Sequence, residues 1–153
     1  MIEVMFSVRA GQGDPSGFDL GDIFIEGEYG SMGSGGHVPD QGMMIHPSVT
    51  LLLDSLRTLF AGEKKQISFT GADTSFRLDF KRDRRGLVSV SQDGILLGRS
   101  SLEDLSCATL RAAQNFSEDY LSALPAEDAV RSDYLSALRD LHMAMTREQQ
   151  RHG

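Results

Sequence analysis

The chain has 153 residues, of which 40% are hydrophobic and 24% are charged, and its formal net charge is −7. This length and composition fit one folded domain, and no apolar run reaches the ~18 residues that a membrane span requires. The acidity disfavours binding to nucleic acid or to an anionic membrane, and the single cysteine, Cys107, excludes an internal disulfide framework.

The N-terminal third is predicted to begin with a strand hairpin over residues 2–29. Apolar and polar residues alternate from Ile2 to Arg9, and a β-rich run, Ile23–Ile25, marks the second strand. Residues 30–42 then contain five glycines and one proline, which predicts a glycine-rich irregular loop. The first ten residues lack the basic flank and apolar stretch of a secretory signal, so we expect a cytoplasmic protein.

The middle of the chain is predicted to form a helix and then a meander of strands. Apolar residues recur at three- and four-residue spacing over 47–61, with Pro47 in the first turn and Gly62 as the C-cap. Over 65–98, short alternating runs are separated by turn-forming residues such as Asp93-Gly94. This pattern predicts four antiparallel strands.

The C-terminal third is predicted to be a helical pair over 102–124 and 126–149. Ser101 has the character of an N-cap, and Pro125 must interrupt any helix that runs through it. We therefore predict a single α+β domain over 1–153, in which one antiparallel sheet of about six strands packs with the helical pair.

A short sequence occurs twice in this helical region. The hexapeptide Asp-Tyr-Leu-Ser-Ala-Leu starts at Asp119 and again at Asp133. Fourteen residues are two heptads, so the two copies present similar faces. We expect Leu121 and Leu135 to lie on the outer faces, where they would support a weak homodimer.

Known catalytic motifs are missing from the chain. The glycine-rich segment has Gly36 and His37 where a phosphate-binding loop needs Lys and Ser or Thr, so no nucleotide cofactor is expected. Cys107 falls on a predicted helix and is expected to be a buried structural thiol. We predict no catalytic residues and no cofactor.

A metal-dependent enzyme is one alternative. His37, Asp40 and His46 lie within ten residues and have side chains that bind zinc or iron. Their spacing matches no known site, and the favoured explanation is a polar loop followed by a helix-capping histidine, His46. We therefore expect no bound metal. If the protein did bind a metal ion, this cluster would be the site.

The charge is distributed unevenly. Residues 1–56 carry a net charge of −7 and residues 57–99 a net charge of +4. The acidic third predicts a basic protein partner, because long-range attraction accelerates association. The predicted partner-binding residues are Asp19, Asp22, Glu26, Glu28 and Asp40. The basic cluster Lys81–Arg85 falls at a predicted hairpin tip, where charges commonly protect sheet edges.

In its size, its acidity and its lack of catalytic motifs, the chain resembles the immunity proteins of bacterial toxin systems. The resemblance implies a non-enzymatic protein that neutralises a basic toxin. It involves no specific motif, so two alternatives stay open. One is an accessory or scaffolding domain that acts by self-association, and the other is the metal-dependent enzyme described above.

Overall fold

The structure is a computed structural model that describes residues 1–37 and 40–152. Within these residues, eight strands form two antiparallel sheets and pack with three α-helices, which confirms the predicted α+β class. Sheet A contains β1 (Glu3–Val8), β2 (Leu20–Gly27), β3 (Gly30–Gly33) and β4 (Met43–Met44). Sheet B contains β5 (Gln66–Thr70), β6 (Arg77–Arg82), β7 (Leu87–Gln92) and β8 (Ile95–Ser101). The helices are α1 (Ile45–Ala61), α2 (Leu102–Asp119) and α3 (Ala129–His152).

The prediction of one sheet with about six strands is wrong in detail, because the strands divide into two sheets. Part of the difference lies in the glycine-rich segment. The chain reverses at Glu28 and Tyr29, so that Gly30–Gly33 pairs with β2 as a strand. The rest of the predicted loop is irregular over 34–37 and 40–42, and its positions 38 and 39 lie outside the described residues.

The two sheets meet where the β2–β3 turn touches β8. The backbone N–H of Tyr29 donates to the carbonyl oxygen of Leu97 at 2.9 Å. A Cβ atom at Gly27 would collide with the same carbonyl oxygen, so this approach requires glycine. The domain is therefore continuous across the junction, although no β-ladder joins the sheets in the described part of the chain.

Helix α1 lies at the centre of the core. Its apolar stripe is fully buried, as the periodicity predicts: Val49, Leu52, Leu53, Leu56 and Leu59. The helix packs chiefly against α3 and also against β5 and α2. Gly62 has a left-handed φ of 78° and donates to Leu59, which confirms the predicted C-cap.

The C-terminal helices differ from the prediction in their bounds and partners. Ser101 caps α2 by accepting a 3.0 Å hydrogen bond from the Asp104 amide, as predicted. The helix ends at Asp119 rather than 124, and a 3₁₀ turn over Leu121–Ala123 follows. Helix α3 packs more extensively on α1 than on α2, so the two terminal helices do not form an isolated pair.

Two side chains lie on the opposite side from the prediction. Cys107 is exposed, because the buried side of α2 carries its neighbours Leu105, Ser106 and Thr109 instead. Leu121 is only 2% exposed, because the 3₁₀ turn directs it into the core. The predictions of a buried thiol and of an outward-facing Leu121 are therefore wrong.

Candidate functional site

The outer face of sheet A combines acidic and apolar side chains. Residues that point inward from β1 and β2, such as Val4 and Ile25, are buried. The opposite side bears two adjacent cross-strand pairs, which we call the sheet A face: Glu3 with Glu26, and Met5 with Phe24. Met5 is 58% exposed, so the face presents apolar surface beside its carboxylates.

The Glu3–Glu26 pair places two carboxylates directly opposite each other. Neither makes an ion pair with any described residue, and both are exposed. Like charges in directly opposed positions destabilise a sheet. The pair is therefore not explained by the stability of the fold, and both carboxylates are available to a cationic partner.

Two other predicted partner-binding residues are held by Arg9, just after the end of β1. Its guanidinium donates to both carboxylate oxygens of Asp22, at 2.9 and 3.0 Å. It also donates to both oxygens of Asp40, at 2.6 and 2.8 Å. These hydrogen bonds hold the pKa of each carboxyl below its ordinary value. Asp22 and Asp40 therefore form an internal cluster with Arg9.

Two small residues, Ser34 and Gly42, donate further hydrogen bonds to the carboxylates of this cluster. The Ser34 hydroxyl donates to Asp22 at 2.7 Å and accepts a hydrogen bond from the Ile23 amide at 3.1 Å. The Gly42 amide donates to Asp40 at 3.0 Å. A Cβ atom at Gly42 would collide with the Arg9 guanidinium, so a larger residue there would displace this side chain. These hydrogen bonds attach the glycine-rich segment to sheet A at two positions, Ser34 and Asp40.

The remaining two predicted partner-binding residues lie on separate loops. Glu28, in the β2–β3 turn, accepts a 3.0 Å hydrogen bond from the ammonium group of Met1. Asp19 accepts a hydrogen bond from the Ser16 amide at 3.1 Å, in the loop before β2. Among the five predicted residues, the structure thus joins Asp22 with Asp40 and leaves Glu26 without an ion-pair partner among the described residues.

The three side chains of the alternative metal site have different environments. His37 is hydrogen-bonded through Nε2 to the Gly33 carbonyl at 2.7 Å, and Asp40 is bound by Arg9. His46 is buried, with its ring centroid 5.3 Å from that of Phe116, and burial lowers its pKa. Among the described residues, no group of three or more His, Cys, Asp and Glu side chains is placed to hold a metal ion.

A basic groove of about 410 Å³ lies on the outer face of sheet B. The strand register places Lys81, Ser89 and Arg99 in one row across β6, β7 and β8, and Arg85 joins them from the hairpin turn. The sequence predicts the hairpin tip but gives no sign of Arg99, because only strand pairing brings this residue there. Asp83 accepts hydrogen bonds from the turn amides and so stabilises the hairpin.

No protein-family model, curated protein or solved structure matches this chain. None of the described helices is long and apolar enough to cross a membrane. Any assignment of function therefore rests on the surfaces of the chain itself.

Proposed function

We propose that this protein is a small, acidic, non-enzymatic protein-binding domain that recognises a basic protein through the sheet A face. The observation that carries the proposal is the Glu3–Glu26 pair, whose carboxylates face each other without an ion-pair partner in the described residues. A cationic side chain placed between them would relieve their repulsion and gain two charge-assisted hydrogen bonds.

Apolar surface beside the carboxylates supports a protein partner over a simple cation. Met5 and Phe24 form the next cross-strand pair, and Met5 is more than half exposed. Protein interfaces combine such an apolar centre, enriched in Met and aromatic residues, with a polar rim. We assign the rim to Asp19, Glu28 and the Arg9-bound carboxylates, whose charge is already partly neutralised.

Within this class, we propose an immunity protein that neutralises a basic bacterial toxin in the cytoplasm. The acidity of residues 1–56 supports this assignment, since a strongly acidic surface accelerates capture of a basic enzyme. The test is co-expression with a basic protein encoded by a neighbouring gene, followed by affinity capture at about 50 and 500 mM salt.

Charge-reversed variants make this test specific. Glu3→Lys with Glu26→Lys should slow association and abolish capture at both salt concentrations. Glu63→Lys alters an exposed carboxylate just beyond α1 and is the control, for which capture should be unchanged. Equal loss in the double variant and the control would refute the assignment to the sheet A face.

A stability measurement tests the argument without a partner. Because the two glutamates repel each other, Glu26→Gln should raise the free energy of unfolding by about 0.2–1 kcal/mol. Glu63→Gln, remote from the pair, should leave it unchanged. Unfolding in urea measures both values. A loss of stability in Glu26→Gln would show that the pair serves the fold, and the proposal would lose its main support.

A further inference from the structure

An open groove of about 600 Å³ runs between β1 and α2, and it shares Glu3 and Met5 with the sheet A face. One wall is the segment Met1–Met5, and the other is the exposed side of α2. Arg99 and Ser100 of β8 also line the groove. The five residues Met1–Met5 correspond to about 15 Å of extended chain, since a strand rises about 3.4 Å per residue.

The edge of β1 that faces away from β2 has unpaired backbone groups. Among the strands that the structure describes, β1 pairs with β2 alone. The Arg9 amide donates to the Leu20 carbonyl directly opposite it, so the odd-numbered residues of β1 bond to β2. Hydrogen bonds alternate along an antiparallel strand, so Val4 and Phe6 direct their N–H and C=O groups away from β2. No backbone–backbone bond outside the ladders engages either residue in the described chain.

The side of the groove that α2 forms leaves room for another strand beside β1. Ala108 and Ala112 line the groove, four residues apart on one side of α2. Both are only partly exposed, and their methyl groups leave a shallow apolar floor. An added strand would lie about 4.8 Å from β1 and direct every second side chain onto this floor. A groove between an edge strand and a helix is a recurrent geometry for peptide binding by strand addition.

Two arginines indicate the chemistry of the occupant. Arg99 and Arg111 line the groove, and the guanidinium group of neither makes an ion pair or hydrogen bond with a described residue. Guanidinium groups bind carboxylates through paired hydrogen bonds. Glu3 and Asp104 also line the groove, which disfavours a run of acidic residues and favours one carboxylate among apolar neighbours.

We propose that this groove binds an extended segment of another polypeptide as an added strand of sheet A, with an acidic side chain of that segment held by Arg111. The occupant is a linear peptide of alternating character, apolar toward Ala108 and Ala112 and carrying one Asp or Glu. This proposal uses backbone pairing at β1 and does not depend on the proposed recognition of a basic protein by Glu3 and Glu26.

The probe is a display library of random linear peptides of about ten residues, selected on the full chain. We expect enrichment of sequences with β-branched residues and one acidic residue. For the best synthetic peptide, Arg111→Glu should weaken binding by about tenfold or more, which corresponds to about 1.4 kcal/mol. Arg139→Glu, at another exposed position, on α3, is the control and should leave binding unchanged.

Backbone pairing has its own signature in hydrogen exchange. In the free protein, the amides of Val4 and Phe6 should exchange faster than those of a strand that is paired on both sides. When the peptide is bound, their exchange should slow by at least about tenfold. Cys107 lines the same groove, and it is the single cysteine of the chain. Its reaction with a bulky maleimide should therefore slow when the peptide is bound.

Three outcomes would overturn the proposal. The first is that no selected peptide binds more tightly than about 1 mM, which is only about 4 kcal/mol of binding free energy. The second is bound peptide that leaves the Val4 and Phe6 amides unprotected, which would place it elsewhere. The third is protection of these amides in the free protein that depends on protein concentration, since a second copy would then cover the edge.

Discussion

The guanidinium of Arg9 and the carboxylate of Asp40 form two hydrogen bonds, of 2.6 and 2.8 Å, across 31 positions of the sequence. The same guanidinium binds Asp22 in β2. One cation therefore joins the end of β1, the middle of sheet A and the far end of the glycine-rich segment. Because Asp40 itself is exposed, its attachment to sheet A depends on these hydrogen bonds rather than on burial of its side chain.

We predict that Asp40→Asn loosens this attachment and leaves the fold intact. A neutral amide cannot form the charge-assisted pair, so the amides of Gln41 and Gly42 should exchange several-fold faster with solvent. Asp14→Asn removes another exposed carboxylate and should have no such effect. Hydrogen exchange with mass spectrometry distinguishes the variants. Equal exchange in both would mean that the pair contributes nothing to the order of the segment.

The same attachment should depend on pH in the acid range. The Arg9 hydrogen bonds lower the pKa of Asp40 below its ordinary value of 3.8. A carboxyl with a lowered pKa contributes its full stabilisation above the ordinary value and loses it as the pH falls through the folded-state value. The protection of the Gly42 amide, measured as its exchange rate relative to an unstructured amide at the same pH, should therefore stay constant from neutral pH to about pH 4 and fall only well below that pH.

Local signals predicted the hairpins of sheet B, the C-terminal end of α1 and the start of α2. Asp93 and Gly94 both adopt left-handed φ angles, of 51° and 80°, as an Asp-Gly turn requires. The αL glycine at 62 and the Ser101 cap are equally local. Such features depend on a few consecutive residues, so the sequence alone specifies them.

Long-range features could not be predicted in this way. The partition into two sheets depends on the contact of Tyr29 with Leu97, and the groove along β1 depends on the position of α2. Neither contact leaves a periodic signal in the sequence. The acidic character of the first third is evident from the sequence. The hydrogen bonds from Arg9 to Asp22 and Asp40, in contrast, depend on the register of β1 with β2, which the sequence does not show.

His46 should make the domain less stable in mild acid. It is 1% exposed, packs against Phe116, and its Nδ1 has no hydrogen-bond partner among the described residues. Burial lowers its pKa below 6.5, although the charges of Asp19 and Asp128 oppose the shift. Protonation therefore favours the unfolded chain, and stability that is complete above pH 6.5 declines below it.

The variant His46→Leu tests this prediction. Its free energy of unfolding should change less than that of the parent between pH 7 and about pH 5. His142→Leu, at an exposed position of α3, should follow the parent. Urea unfolding at several pH values measures the difference. An identical decline in all three proteins would show that other groups control acid stability.

The two copies of the repeated hexapeptide contain a matched pair of tyrosines. The Tyr134 hydroxyl is buried and donates to the Ala113 carbonyl at 2.6 Å, whereas Tyr120 is 40% exposed. Tyr134→Phe should cost about 1 kcal/mol, or about 2–4 °C in Tm. Tyr120→Phe should change stability by less than about 0.5 kcal/mol. Calorimetry compares them, and equal effects would contradict the structural difference between the copies.

The leucines of the same repeat decide the prediction of a homodimer. Leu121 is buried and cannot form part of an exposed interface, whereas Leu135 is 47% exposed on α3. Leu121→Ala should therefore destabilise the fold by about 2–4 kcal/mol without a specific effect on association. Leu135→Glu should preserve the fold, because a surface position tolerates charge, and should shift any dimer to monomer. Sedimentation velocity of both variants at several concentrations measures this. A dimer that persists in Leu135→Glu would place the interface on another surface, and a monomeric parent would remove the prediction altogether.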